Sequence, residues 1–229
     1  MKYDNYIFDL YGTLIDVWTD EHAAQTWKKW LRVLDKKGIR HPDYITFRRE
    51  FFDSDKRARE AALAEGKYEV PEIDVIPIYK ELLTKYGNKN LDEKILNELS
   101  YDFRVASRKR IGLFPGVEEY LKLIHANGKK AYILSNAQAS YTWPEIQMFH
   151  LEKLTDDVLM SSDYKCMKPD KAFFDILIER YSMDRDKTIM HGDSGFSDIQ
   201  GAEKAGIASV HLANENHPSK YYINACKNQ

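Results

Sequence analysis

Three aspartates, a lysine and a serine each sit beside a short apolar run, and together they could work on an anionic group. Asp9 closes the run Tyr6-Ile7-Phe8 and begins Asp9-Leu10-Tyr11-Gly12-Thr13-Leu14. Ser135 and Asn136 come directly after Ile133-Leu134, and Lys168 stands in Lys168-Pro169-Asp170. Asp193 follows Ile189-Met190-His191-Gly192, with Ser194 next and Asp198 close behind. Gathered at one place, Asp9, Asp193 and Asp198 repel one another unless a cation offsets them. A donor set made only of oxygens suits magnesium. The Lys168 ammonium and the Ser135 hydroxyl then suit a phosphate, as a point charge and a hydrogen-bond donor. A helix N-terminus adds partial positive charge for an anion.

Such residues need a scaffold that gathers them, and the periodicity of the chain predicts one. Residues 3–9 read as a strand buried on both faces, ended by the Gly12-Thr13 turn. After Gly112 the pattern alternates. Helices are expected over 117–126 (closed by Gly128), about 144–149, 172–181 and 198–205, and strands over 131–134, 158–160, 188–190 and 209–212. That alternation predicts right-handed βαβ units and a parallel sheet, an α/β fold. In open parallel sheets ligands bind beyond the carboxyl ends of the strands, where Asp9, Ser135 and Asp193 fall.

Between residues 19 and 110 the strand signal disappears. Thr19 or Asp20 can cap a helix running to Gly38, with Ala23, Trp27, Trp30, Leu31 and Leu34 on one face. Phe47, Phe51 and Ala58 mark a second helix, ending near Gly66. Tyr79, Leu82, Leu83 and Tyr86 mark a third, and Leu91, Ile95, Leu99, Phe103 and Ala106 a fourth. This block lies between the first strand and the second, so it is an insertion. Residues 1–16 and 112–229 are then expected to form the core, and 17–111 the inserted helical unit.

At 229 residues the chain suits one large domain or two small ones, and 43% hydrophobic residues suffice for a core. A formal net charge of −2 gives no global drive toward nucleic acid or anionic membrane. The one basic run, Arg104 with Arg108-Lys109-Arg110, reads as a solvated helix face. Cys166 and Cys226 are too few for a disulfide framework or a thiolate metal site, so a reduced, cytoplasmic setting is the expectation. The first strand starts almost at the N-terminus, so no signal peptide is expected. No apolar run approaches the roughly 20 residues that span a membrane.

Asp9-Leu10-Tyr11-Gly12-Thr13-Leu14, Leu134-Ser135-Asn136, Lys168-Pro169-Asp170 and Gly192-Asp193-Ser194 with Asp198 resemble, in order, the four motifs of the haloacid dehalogenase superfamily. Phe114-Pro115-Gly116-Val117 resembles the segment by which such chains re-enter the core. The resemblance runs from about residue 6 to residue 212. It implies a Rossmann-like core, a helical cap over the site, and Asp9 as a nucleophile. In a phosphatase of this kind Asp9 attacks phosphorus, and water cleaves the aspartyl phosphate. Asp9, Asp193 and the Tyr11 backbone carbonyl would hold Mg2+, with Asp198 in support. Lys168 and Ser135 would stabilise the phosphoryl oxygens, and Thr13 and Asn136 would join Ser135 as substrate contacts. The expected partner is a small phosphorylated molecule.

One position departs from that pattern. The phosphatases usually carry a second aspartate two residues after the nucleophile, which protonates the leaving group. Tyr11 stands there instead. Asp-Leu-Tyr-Gly-Thr resembles the 2-haloacid dehalogenases, whose leaving halide needs no proton. Yet those dehalogenases generally lack the aspartate found here as Asp193. The leading expectation is a magnesium-dependent phosphatase. The alternatives are a 2-haloacid dehalogenase working through an aspartyl ester, and a phospho-ligand-binding module with little turnover. Tyr11 fits either a packing or a site role; near pH 7 its hydroxyl donates a hydrogen bond but is a poor base. His191 reads as a packed strand-end histidine and Cys166 as an inert thiol. The aromatics Trp18, Trp27, Trp30, Phe51 and Phe52 read mostly as core of the helical unit. No motif names a substrate or bears on oligomeric state.

Overall fold

The computed structural model of the chain describes residues 1–227. It opens with β1 (Asn5–Phe8) and β2 (Ile15–Thr19), then four helices: α1 (Ala24–Lys36), α2 (Tyr44–Ala64), α3 (Ile76–Lys85) and α4 (Glu93–Ser107). β3 (Arg108–Leu113) pairs antiparallel with β2, and α5 (Val117–Ala126) leads to β4 (Lys130–Ser135). α6 (Ala139–Met148), α7 (Leu151–Leu154), β5 (Asp157–Met160), α8 (Ser161–Tyr164) and α9 (Lys171–Arg180) follow. The chain continues through β6 (Thr188–Gly192), a π-helical turn at Gly195–Gln200, α10 (Gly201–Lys204), β7 (Ala208–His211) and α11 (Pro218–Lys227).

Five of the strands form one parallel sheet in the order β5-β4-β1-β6-β7. β1 is central, with Ile7 opposite Tyr132 on one side and Met190 on the other. Alternate side chains of a strand point to opposite faces. Ile7 therefore packs with Leu134, Met190, Phe173 and Phe174, under α9 and α10. Tyr6 and Phe8 pack with Tyr120, Leu121, Ile133 and Tyr222, under α5 and α11. Both faces are thus covered by helices, as an α/β Rossmann-like sheet requires. Burying each such side chain stabilises the fold by about 1.5–3 kcal/mol.

α1 to α4 enclose a separate apolar cluster in which Trp27, Trp30, Phe47 and Leu83 are fully buried. The Trp30 indole donates to the Leu99 carbonyl at 2.9 Å, so its one polar atom is satisfied. Asp43 caps α2 by accepting from the amides of Ile45 and Thr46, and Asp92 caps α4 through the Ile95 amide. α1 starts later than expected. Asp20 accepts from the Ala23 amide at 3.0 Å and shapes the entry turn instead of capping.

Three sequence expectations need correction. The helical block is not free of strand: β2 and β3 form a two-stranded ribbon where the helical segment joins the sheet. A ribbon of two strands is marginal by itself, and its halves are far apart in sequence, so local patterning misses it. Arg108, Lys109 and Arg110 lie on β3, not on a helix face. Arg104 is on α4 but is buried, 5% exposed, because it pairs with a carboxylate of α6. The helix expected over 198–205 is a π-turn followed by the short α10. α11 had no counterpart in the reading of the sequence, although its Tyr222 is fully buried against β1.

Candidate active site

Asp9 follows β1 at the carboxyl edge of the sheet, where its amide donates to the His191 carbonyl at 2.9 Å. The Lys168 ammonium, almost entirely buried, donates to Asp9 Oδ1 and to Asp198 Oδ1, both at 2.7 Å. Asp198 Oδ2 accepts from the Ser194 amide at 3.0 Å, so both of its oxygens are used. Asp9, Asp193 and Asp198 each offer an oxygen within 4.8 Å of the others. Asp193 is the exposed member of the three. Two glycines make the approach possible. Gly12 has φ +82°, and a Cβ there would run into the Asp193 carboxylate; a Cβ on Gly192 would run into Asp198.

The electrostatics of this cluster are unbalanced. Burial pushes the Asp9 carboxyl up to about 7, against the pull of Lys168 and with the push of Asp198. Asp193 is also raised, first by burial and then by Asp198. Burial alone would lower Lys168, but the carboxylates of Asp9 and Asp198 outweigh it and hold the ammonium charged. Among the described residues the three carboxylates thus gather with one cation, Lys168, which pairs with Asp9 and Asp198.

The remaining expected residues divide. Ser135 ends β4 and is buried. Thr13 is fully buried, and its hydroxyl has no hydrogen-bond partner among the described residues. Asn136 uses both ends of its amide on the Lys168 backbone: Oδ1 accepts from the Lys168 amide and Nδ2 donates to its carbonyl, each at 2.8 Å. Tyr11 turns toward α6. Its hydroxyl donates to Glu145 Oε2 at 2.5 Å and lies 3.2 Å from Thr142 Oγ1. The Arg104 guanidinium lies over its ring, 4.7 Å from the centroid. Burial, only partly offset by Arg104, pushes this phenol well above its ordinary value, so it stays protonated.

Glu145 has no exposed surface and accepts from Arg104 Nε at 3.0 Å, Arg104 Nη2 at 3.3 Å and Arg108 Nη1 at 3.1 Å. Reading the sequence alone missed this group. Arg104 and Glu145 belong to segments that only the fold brings together, and no motif marks either one.

His191 is packed at its strand end as expected. Its ring stacks on Phe8 with centroids 4.9 Å apart, and burial pushes it down to about 3, so it is neutral. Cys166 is buried, and burial pushes its thiol up to about 11, leaving it inert. Trp27, Trp30 and Phe51 belong to the helical core, whereas Trp18 on β2 is 59% exposed.

A central parallel sheet with helices on both faces and an acidic cluster beyond its carboxyl edge defines an α/β, Rossmann-like protein. The chain belongs to the haloacid dehalogenase-like hydrolase family, which it matches over residues 63–212. That segment holds Ser135, Lys168, Asp193 and Asp198. The chain is similar to a phosphorylated carbohydrates phosphatase of Thermotoga maritima, 24% identical over 62% of this chain and 64% of that one. It is also similar to a phosphoglycolate phosphatase of Vibrio vulnificus, 29% identical over 50% of each chain. The chain thus spans between half and two thirds of these relatives. Similar folds include a 2-haloacid dehalogenase of Pseudomonas syringae, with a TM-score of 0.59, 20% identity and coverage of 91% of this chain and 86% of that one. A HAD phosphatase of Thermococcus onnurineus gives a TM-score of 0.58, 18% identity and coverage of 97% and 96%. Among the described residues no helix is long and apolar enough to cross a membrane.

Proposed function

We propose that the chain is a magnesium-dependent phosphatase acting on a small phosphorylated metabolite, with Asp9 as nucleophile. The carrying observation is the gathering of Asp9, Asp193 and Asp198 within 4.8 Å of one another, where the Lys168 ammonium pairs with Asp9 and Asp198 and leaves Asp193 unmatched. That excess of negative charge calls for a cation, and a set of oxygens fits magnesium. Both oxygens of Asp198 already have partners. Asp9 Oδ2, the Asp193 carboxylate and the Tyr11 carbonyl are therefore the donors that would hold the ion, with Asp198 in support. Such an ion neutralises charge on a bound phosphoryl group. The similarity to the two phosphatases named above supports the reading.

In this reading Asp9 attacks phosphorus in line through the carboxylate oxygen that is not assigned to the ion, with Lys168 beside it. The new P–O bond forms as the bond to the leaving oxygen breaks, and that oxygen takes its proton from solvent. Water then cleaves the aspartyl phosphate, regenerating Asp9 and releasing inorganic phosphate. Lys168 and Ser135 stabilise the equatorial oxygens. Asn136 acts through Lys168, whose backbone it clamps. Residues 17–111 serve as a cap that excludes water and shapes the space for the leaving group, over a core of 1–16 and 112–229. The Tyr11 hydroxyl is committed to Glu145, so it supplies no proton at Asp9.

Tyr11 in place of an aspartate favours a second reading, a 2-haloacid dehalogenase in which Asp9 attacks carbon. One experiment separates the two. Phosphate release is measured on a panel of esters with magnesium and with a chelator, beside chloride release from 2-chloropropionate. Phosphate release lost on chelation supports the phosphatase. Metal-independent chloride release without phosphate release overturns it.

A further inference from the structure

A cavity of about 370 Å³ lies between the helical layer and the carboxyl edge of the sheet, beside Asn136. One side is aromatic, with Phe51, Phe103 and Tyr141. The other side is charged, and both of its arginines already face carboxylates. Arg59 donates through Nε to Asp55 at 3.0 Å and through Nη1 to Glu72 at 3.1 Å. Arg104 donates to both oxygens of Glu145, and its Nη1 lies 3.5 Å from Glu21. With Arg108 included, four carboxylates (Glu21, Asp55, Glu72, Glu145) stand against three guanidiniums.

That balance discriminates between leaving groups. Among the described residues a substrate carboxylate would find no free cation there. It would have to displace a resident carboxylate, stranding it in a poorly solvated place, or sit beside it as a like charge. A hydroxyl meets the opposite situation. Glu21, Asp55 and Glu72 have more lone pairs, and each guanidinium more N–H groups, than the existing pairs use. The aromatic side can cover the apolar face of a ring. Resting on the phosphatase reading, we infer that this cavity selects phosphate esters with an uncharged, hydroxylated leaving group, a sugar or a nucleoside. It rejects esters whose leaving group carries a carboxylate. The paired acids are the repulsive element of that specificity.

The test compares kcat/KM, with magnesium present, for glucose 6-phosphate and uridine 5′-monophosphate against phosphoglycolate and 3-phosphoglycerate. All four are alkyl esters, so leaving-group basicity is roughly matched. The better uncharged substrate should exceed the better carboxylated one by at least about tenfold, and which of the two leads tells sugar from nucleoside. Glu21→Gln and Asp55→Asn each remove one acid with little change of shape. Each should narrow the gap several-fold by raising kcat/KM for the carboxylated esters. Wild-type preference for phosphoglycolate or 3-phosphoglycerate overturns the inference and leaves the phosphatase reading standing. An unchanged gap in both variants, with melting temperatures within about 3 °C of wild type, overturns it too. If a variant melts early, the wild-type ratio decides alone. No phosphate release from any of the four overturns the inference together with the reading on which it rests.

Discussion

Asp9 and Tyr11 are two residues apart, yet their side chains enter buried charge clusters of opposite design. Around Asp9, three carboxylates gather with one ammonium, Lys168, which pairs with Asp9 and Asp198; burial drives Asp9 up to about 7, and Asp193 remains exposed. Around Tyr11, one carboxylate, Glu145, is surrounded by donors: two arginines and the phenol. The first cluster is short of positive charge and open on one side, which is the condition of a site that takes a ligand. In the second the carboxylate is fully buried and both of its oxygens are used, which is the condition of a device that ties α4 and β3 to α6. The comparison teaches that burial of charge does not by itself mark a site. What marks it is the charge left uncompensated.

That contrast can be broken most sharply at Asp9. Asp9→Asn keeps shape but is a far weaker nucleophile, and it should lower phosphate release by roughly 10³-fold or more while circular dichroism stays unchanged. Activity within a factor of ten of wild type would sink the mechanism. Next in size is Glu145→Ala, which strands Arg104 and Arg108 beside a cavity. The loss of stability should be about 3–5 kcal/mol in chemical denaturation, the range for breaking a buried pair. A loss below about 1 kcal/mol would mean that the second cluster is not structural. Magnesium should raise the melting temperature by the equivalent of about 2.7 kcal/mol at a hundredfold excess over its Kd. Asp193→Asn should blunt that gain, and equal gains in both proteins would remove Asp193 from the metal site. Tyr11→Phe should have the smallest effect. It should cost about 1 kcal/mol of stability and change kcat by less than about tenfold, because its hydroxyl serves Glu145 and not the nucleophile. A loss as large as that of Asp9→Asn would join the two clusters into one.

Much of the site was legible because its residues follow strands. The apolar runs ending at Phe8, Leu134 and Met190 placed Asp9, Ser135 and the segment of Asp193 at one sheet edge before any coordinates. Asn136 was legible in position but not in role. Its side chain clamps the Lys168 backbone, a contact between two loops that no local pattern encodes. Arg104 was misread because a basic residue on an amphipathic helix is usually solvated. Its pairing with Glu145, which α6 brings against α4, and with Glu21 makes its burial affordable. The β2–β3 ribbon escaped for a related reason, since each strand is short and finds its partner across four helices.

The sequence by itself determined the alternation of strands and helices, the four helices inserted after the first strand, and the order of the chemical residues along the chain. These are local properties, carried by apolar periodicity, caps and turn glycines, and they need no distant partner. Only the tertiary structure decided which charges meet. A carboxylate becomes part of an unbalanced site or a saturated tie according to what lies a few ångströms away, and Coulomb and desolvation energies change over that distance. Asp9 and Tyr11 are separated by one residue in the chain and by that physics in the fold.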